Sequence, residues 1–220
     1  MSCRERAPLR EQTVASFARS GWTGERLRTI LDDESVSDRV AAIANTWRRT
    51  VTAARESDAD YCLLMEDDLE INVHLEHNIR NWAPLRAGRP DRPLFASLYN
   101  PGHAVIRRHY AEHYLVADPW AFWGNQALIA SRATLAYLLR FWDDEGGPAD
   151  LKMARLAARV GPLYYHAPSL VQHVGDVSTW GGIRHQSPDY DATFRAPDAA
   201  LAASATSIAA PTAAQSPARG

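Results

Sequence analysis

Apolar residues along this chain follow two patterns, helical spacing and short continuous runs. Helical spacing predicts helices over residues 10–20, 38–56, 74–85, 133–142 and 150–160. Short apolar runs bounded by polar residues predict strands over residues 26–31, 61–65, 93–99, 114–117, 126–130, 163–165 and 170–173. A proline and a glycine predict a loop over residues 100–108. Helices that alternate with strands are typical of an α/β domain with a mostly parallel sheet.

The composition changes near residue 195, so we expect one domain over residues 1–195 and a tail over residues 196–220. The tail is rich in Ala, Ser, Thr and Pro and has almost no large apolar side chains. Such a segment cannot offset its ordering entropy, so we predict that it is disordered. Residues 1–3 are too few for a complete strand before the first helix, so the first strand of the domain is expected to be clipped.

Charge and cysteine content narrow the class of protein. The 24 basic and 26 acidic residues give a net charge of −2, which favours neither nucleic-acid binding nor an anionic membrane surface. No apolar run reaches the roughly 18 residues of a transmembrane segment, and no apolar stretch follows the N-terminal charges as in a signal peptide. The chain has two cysteines, Cys3 and Cys62. We therefore expect a cytoplasmic protein without a disulfide framework.

An acidic segment follows one of the predicted buried strands. Residues 61–65 (Tyr-Cys-Leu-Leu-Met) lead directly into Glu66, Asp67 and Asp68. Ligands of open α/β sheets lie beyond the carboxyl ends of the strands, and strand alternation would place Glu66 and Asp68 on one side and Asp67 on the other. Carboxylates converging there suit Mg²⁺ or Mn²⁺, which often share their coordination with substrate phosphates. The alternative is an acidic turn that is merely solvated.

Two further residues have both a chemical and a structural interpretation. His173 ends an apolar strand beside a glycine-rich loop, where its imidazole either coordinates Mn²⁺ or caps the strand through a backbone hydrogen bond. Asp150 lies at the start of a predicted helix, where it acts either as a general base or as an N-cap.

Arginines near the N-terminus are candidate nucleotide contacts. Arg4 and Arg6 lie in the turn before the first predicted helix, a position from which side chains can reach a phosphate. Solvated surface arginines are the common alternative.

Aromatic and amide side chains in the middle of the chain suit a sugar ring. Tyr99, Trp120 and Trp123 offer flat apolar faces, and Asn125 and Gln126 offer hydrogen-bonding groups. The alternative for each aromatic residue is a place in the core.

Several segments taken together resemble glycosyltransferases of the GT-A fold. They are the Met-Glu-Asp-Asp run at 65–68, the Gly-Asn-Gln-Ala run at 124–127, Asp150, and the Gln-His-Val-Gly-x-x-Ser run at 172–178. The Glu-Asp-Asp variant and the last run are most similar to the N-acetylglucosaminyltransferase IV type and neighbouring Glu-Asp-Asp families. The resemblance covers residues 3–182 and implies a Rossmann-like, mostly parallel sheet flanked by helices.

The resemblance also implies an activity and a set of site residues. The donor would be a sugar linked to uridine or guanosine diphosphate, and the cofactor would be Mn²⁺ or Mg²⁺, bound by Asp68 and His173. Asp150 would be the base of an inverting hexosyl- or N-acetylhexosaminyltransferase. The acceptor, a glycan, a protein or a small molecule, is left open. The residues expected to contact substrate are Arg4, Arg6, Asp33, Glu66, Asp67, Asn125 and Gln126.

Two other classes of function use the same residues. One is a binding module for nucleotides or carbohydrates that keeps the fold without catalysis. The other is a metal-dependent nucleotidyltransferase or hydrolase, which would release phosphate or pyrophosphate instead of a nucleoside diphosphate.

Overall fold

A computed structural model describes residues 6–22, 27–32, 38–102, 105–175 and 185–198. The helices are α1 (Ala7–Arg19), α2 (Arg39–Arg55), α3 (Leu75–Asn81), α4 (Ala83–Ala87), α5 (Arg132–Arg140) and α6 (Ala149–Ala158). The strands are β1 (Tyr61–Met65), β2 (Leu69–Ile71), β3 (Phe95–Ser97), β4 (Val105–His109), β5 (Tyr114–Ala117), β6 (Ala127–Ser131), β7 (Leu163–His166) and β8 (Val171–His173). None of the helices in these described ranges has the length and hydropathy needed to cross a membrane.

Some predictions fall outside the described residues. These are the predictions for Arg4 and Asp33, the clipped first strand, and the tail beyond residue 198. Ala196, which the composition assigned to the tail, is buried, and its N–H donates to Asn78 Oδ1 at 2.7 Å. The packed part of the chain therefore continues past the predicted boundary at residue 195.

The main sheet has six strands in the order β1-β6-β3-β7-β5-β4. Among the described strands, only the neighbours β3 and β7 run parallel, and the other pairs in this sheet are antiparallel. The prediction of a mostly parallel sheet is therefore wrong. A continuously apolar strand indicates only that both faces of the sheet are covered. Helices on the two faces produce this apolar pattern whether the strands run parallel or antiparallel.

Two apolar cores cover the two faces of the sheet. One core contains side chains of α2, α5 and α6, among them Trp47, Leu135 and Met153. The other contains side chains of α1, α3 and the small sheet, among them Phe17 and Leu75. The molecule is a helix–sheet–helix sandwich, which accounts for the α/β class.

The second sheet consists of β2 and β8, paired antiparallel. Helix α1 lies along β2 and supplies side-chain partners to its backbone. Thr13 Oγ1 donates to the carbonyl of Asp67 and accepts from the N–H of Leu69, each at 2.8 Å, and Ser16 Oγ accepts from the N–H of Ile71 at 2.9 Å. These hydroxyls satisfy buried backbone groups that have no strand partner on that side.

The segment 185–198 folds back over the small sheet. Asp189 accepts hydrogen bonds from the side chains of Asn100, Ser169 and Ser187, all at 2.8 Å. Asn72 Nδ2 donates to the carbonyls of Asp191 and Phe194. A closed polar network therefore fastens this segment beside β8.

Three predicted elements differ from those in the structure. The predicted helix 74–85 is two helices, because Pro84 has no N–H to continue the helical ladder and Trp82 is extended at the break. The predicted loop 100–108 contains most of β4, an exposed edge strand with too few apolar residues to be recognised. Of the predicted strand 26–31, Leu31 makes only an isolated bridge.

Candidate functional site

The acidic segment forms the turn between β1 and β2. Its first residue, Glu66, donates its N–H to the carbonyl of Gln126 at 2.9 Å, which extends the β1–β6 ladder by one rung. Asp67 and Asp68 are then buried, with 3% and 2% of their surfaces exposed. The carbonyl of Asp68 accepts from the N–H of Val174 at 2.9 Å, just after β8. Two strands remote in sequence thus meet at this turn.

Asp68 is the centre of an ionic cluster. Its Oδ2 lies 2.8 Å from His173 Nε2 and also accepts from Arg6 Nη2. Arg6 Nη1 lies 3.0 Å from Asp67 Oδ1. The predicted alternation of side chains is therefore not observed, because the strand ends at Met65 and one guanidinium reaches both aspartates in the turn. The structure does bring Asp68 and His173 into contact.

The ion pair sets the charges of this cluster. Burial acts to raise the pKa of Asp68, but the hydrogen bond and charge of His173, together with Arg6, hold it below its ordinary value. The hydrogen bond to Asp68 raises the pKa of His173 against the opposing effect of burial. Asp68 is therefore a carboxylate at neutral pH, and the imidazolium form of His173 is favoured.

Glu66 differs electrostatically from its neighbours. Burial of its carboxyl group and the charge of Asp68 raise the pKa of Glu66 to about 8. Burial and the charge of Glu66 in turn raise the pKa of Tyr99 to about 12. At neutral pH the acidic segment therefore holds a proton on Glu66 as well as the negative charge of Asp68.

Gly175 permits the close approach of the chain to this cluster. A Cβ at this position would lie 2.5 Å from Asp68 Oδ2, 3.1 Å from Arg6 Nη2 and 3.2 Å from His173 Nε2. Any side chain here would therefore displace the paired groups. The sequence signal for this role is a glycine two residues after a strand-ending histidine, within the Gln-His-Val-Gly run, for which no role was predicted.

A second group of residues surrounds Asp150 in the first turn of α6. Its Oδ2 accepts from the N–H of Gly124 at 3.1 Å, and its Oδ1 accepts from the N–H of Leu151 at 2.9 Å. Asn125 is buried. With its amide oriented by the hydrogen-bond network, its oxygen accepts from Trp47 Nε1 and from the N–H of Asp150, each at 3.2 Å. The backbone N–H of Asp150 is thus held by Asn125, and its carboxylate by the loop before β6.

The loop before β6 connects the two groups. Gly124 binds Asp150, and Gln126, two residues later, binds Glu66 through its carbonyl. Gly124 has a φ of +89°, and a Cβ there would lie 2.0 Å from Gln126 Oε1. Gln126 Oε1 is buried and has no hydrogen-bond partner among the described residues. The contacts of Asn125 favour a supporting role, whereas no contact of the Gln126 side chain among the described residues assigns it one.

The cluster offers few ligands for a metal ion. Within the described residues, no three His, Cys, Asp or Glu side chains are grouped to hold one. Asp68 Oδ1 and His173 Nδ1 are buried and make no hydrogen bond to the described residues, but they lie on opposite sides of the Asp68–His173 contact. Only Asp68 Oδ2 and His173 Nε2, 2.8 Å apart, are placed to share one ion, whose other positions substrate and water would fill.

Comparison with protein-family models and with curated proteins gives no match to this chain.

Proposed function

We propose that this protein is a metal-dependent glycosyltransferase that moves a sugar from a nucleotide-diphosphate sugar to an acceptor hydroxyl. The observation that carries the proposal is the buried Asp68–His173 pair, which joins the turn between β1 and β2 to the end of β8. Burying charges costs folding free energy, and a buried acceptor without a partner adds to that cost. Buried charged groups that lower the stability of the fold and lie at the ends of strands are typical of a binding site.

The proposed ligands of the divalent cation are Asp68 Oδ2 and His173 Nε2, which lie 2.8 Å apart. Mn²⁺ or Mg²⁺ would replace the proton between these two atoms, with His173 as the neutral imidazole that a metal requires. The bound ion would supply positive charge against the diphosphate of the donor. Arg6, whose side chain is 20% exposed, adds a second positive charge at the same place, so the site suits a nucleoside diphosphate.

Asp150 is the proposed base. Each of its oxygens accepts one backbone N–H and keeps a further lone pair. The N-terminal turn of α6 favours its negative charge. Asp150 accepts the proton of the acceptor hydroxyl, and the oxygen attacks the sugar from the side opposite the leaving diphosphate, so the reaction inverts the anomeric centre.

The first experiment tests donor binding. The thermal midpoint should rise when uridine or guanosine diphosphate is added with Mn²⁺ or Mg²⁺, and not with either component alone. Asp68→Asn should abolish this rise because it removes the charge that holds the ion. Asp143→Asn is the matched control, because the Asp143 side chain is 77% exposed and lies outside the site. A shift that Asp68→Asn leaves intact would contradict the assignment.

The second experiment tests turnover with a panel of nucleotide sugars. The wild type should release nucleoside diphosphate in a metal-dependent reaction, and Asp150→Asn should keep the thermal shift while lowering turnover roughly 10²- to 10⁴-fold. Release of phosphate or pyrophosphate would instead identify a hydrolase or nucleotidyltransferase. Binding without turnover would identify a non-catalytic module.

A further inference from the structure

The loop between β5 and β6 displays two tryptophan side chains to solvent. Trp120 is 72% exposed and Trp123 is 51% exposed. Indoles are usually buried on one side at least, because each carries a large apolar area. Two indoles exposed three residues apart in one loop place a large apolar area in solvent, which is typical of a binding surface.

The loop that carries the two indoles is firmly anchored. Phe122, between them, is fully buried and stacks on Tyr165, with ring centroids 5.0 Å apart and ring planes 7° apart. Asp118 closes a turn by accepting from the N–H of Trp120 at 2.9 Å. The exposure of the indoles is therefore imposed by the fold, since the residue between them is fixed in the core.

Helix α6 orients one of the indoles. The guanidinium of Arg155 lies over the ring of Trp120, 5.0 Å from its centroid. This contact covers one region of the ring, and 72% of the residue's surface stays exposed. The helix that carries the proposed base thus also holds the indole.

The backbone beside the second indole is bonded to the base. The peptide that links Trp123 to Gly124 donates its N–H to Asp150 Oδ2. The loop that displays the two apolar rings is therefore attached to the carboxylate of Asp150. A pyranose ring has the matching chemistry, because its C–H face is apolar and its rim carries hydroxyl groups.

We propose that residues 118–126 form the acceptor subsite and that the acceptor is a carbohydrate whose pyranose ring stacks on Trp120 and Trp123. This inference rests on the proposed glycosyl transfer, with Asp150 as the group that receives the acceptor's proton. It commits the enzyme to extending a glycan or glycoside, and not to modifying a protein side chain or a nonsugar alcohol.

The test is a binding measurement that needs no donor and no turnover. The indole N–H signals are followed by ¹H–¹⁵N NMR while methyl glycosides of glucose, galactose, mannose and N-acetylglucosamine, and short oligosaccharides, are added. Trp120→Phe and Trp123→Phe assign the two signals. The subsite would be supported if at least one glycoside shifts both signals and if Trp120→Ala or Trp123→Ala weakens the affinity for that glycoside roughly tenfold.

A matched control separates stacking from nonspecific contact. Tyr110 is 58% exposed and also lies under an arginine, Arg108, but is outside the loop. Tyr110→Ala should leave glycoside binding unchanged. Three results would overturn the proposal. They are an absence of shifts at both indoles in the folded wild type, an equal loss of glycoside affinity in Tyr110→Ala, and shifts caused by peptides and not by glycosides.

Kinetics distinguish this inference from the proposed function. If the wild type releases nucleoside diphosphate, the KM for the glycoside acceptor should rise about tenfold in each tryptophan-to-alanine variant. If the wild type releases none, glycosyl transfer fails, and the NMR result alone decides whether the loop binds sugars. Normal release with an unchanged acceptor KM in the variants would overturn the subsite and leave the transferase intact.

Discussion

At the residue scale, the ionic cluster depends on one position without a side chain. Gly175 lies against Asp68, Arg6 and His173, and its φ is not in the left-handed region. Alanine can therefore adopt this backbone, and the only effect of the substitution is the added Cβ. Gly146 is a matched position, because its φ is also ordinary and no atom lies within 4 Å of an added Cβ.

We predict that Gly175→Ala separates Asp68 from His173 and lowers the free energy of unfolding by about 1–3 kcal/mol, the usual cost of overpacking. Gly146→Ala should change it by less than about 0.5 kcal/mol or raise it slightly. Urea unfolding gives the free energies, and the ¹⁵N shifts of the His173 imidazole report the ion pair. An unperturbed imidazole in Gly175→Ala would contradict the geometry of the cluster.

At the scale of elements, helix α1 positions the acidic turn through hydroxyl groups. Thr13 is 4% exposed and bonds both to the carbonyl of Asp67 and to the N–H of Leu69. No periodicity in the sequence marks this threonine, because its partners are more than fifty residues away along the chain. The pattern predicted the helix, and only packing against β2 gave Thr13 its function.

We predict that Thr13→Val lowers the free energy of unfolding by about 1–3 kcal/mol, because two buried backbone groups lose their partner while the shape is kept. Thr52→Val is the control. Among the residues that the structure describes, the Thr52 hydroxyl bonds only within α2, to the carbonyl of Arg48, and its replacement should cost less than about 0.5 kcal/mol. Equal effects in urea unfolding would show that Thr13 does not hold the turn.

At the scale of the whole molecule, a buried histidine connects the main sheet to the segment 185–198. His166 ends β7, is fully buried, and its ring lies 5.0 Å from Trp82 and 5.9 Å from Phe194 between centroids. Burial lowers the pKa of His166 to about 4, with a smaller contribution from His113, against the opposing effects of the Pro168 carbonyl and Asp189. The folded protein therefore holds this imidazole neutral.

This pKa predicts a loss of stability in acid. The unfolded chain binds the proton near pH 6.5 and the folded chain only near pH 4. The contribution of the buried His166 to the free energy of unfolding is therefore intact above pH 6.5. It declines by at most about 1.4 kcal/mol per pH unit between those values. His166→Asn keeps a donor for the Pro168 carbonyl but does not titrate. The difference in unfolding free energy between wild type and variant should narrow as pH falls from 6.5 to 4, and a constant difference would contradict the prediction.

Local sequence determined most of the elements and the candidate residues. The strand 61–65 was predicted with its observed bounds, and Asp68 and His173 were identified because each follows or ends an apolar run. Such predictions succeed because the period of apolar positions depends on neighbours a few residues apart. The glycosyltransferase assignment itself stays a proposal from the residues and their geometry.

Tertiary structure decided what depends on remote partners. Strand direction was decided by the insertion of β6 between β1 and β3, since an apolar strand is equally buried in either direction. Remote packing also gave Arg6 two carboxylate partners, left Asp68 Oδ1 without a hydrogen bond to the described residues, and committed Asn125 to Trp47 and Asp150. The sequence thus determines the acidic segment, but its burial and the pairing of Asp68 with His173 exist only because β2 and β8 pair in the fold.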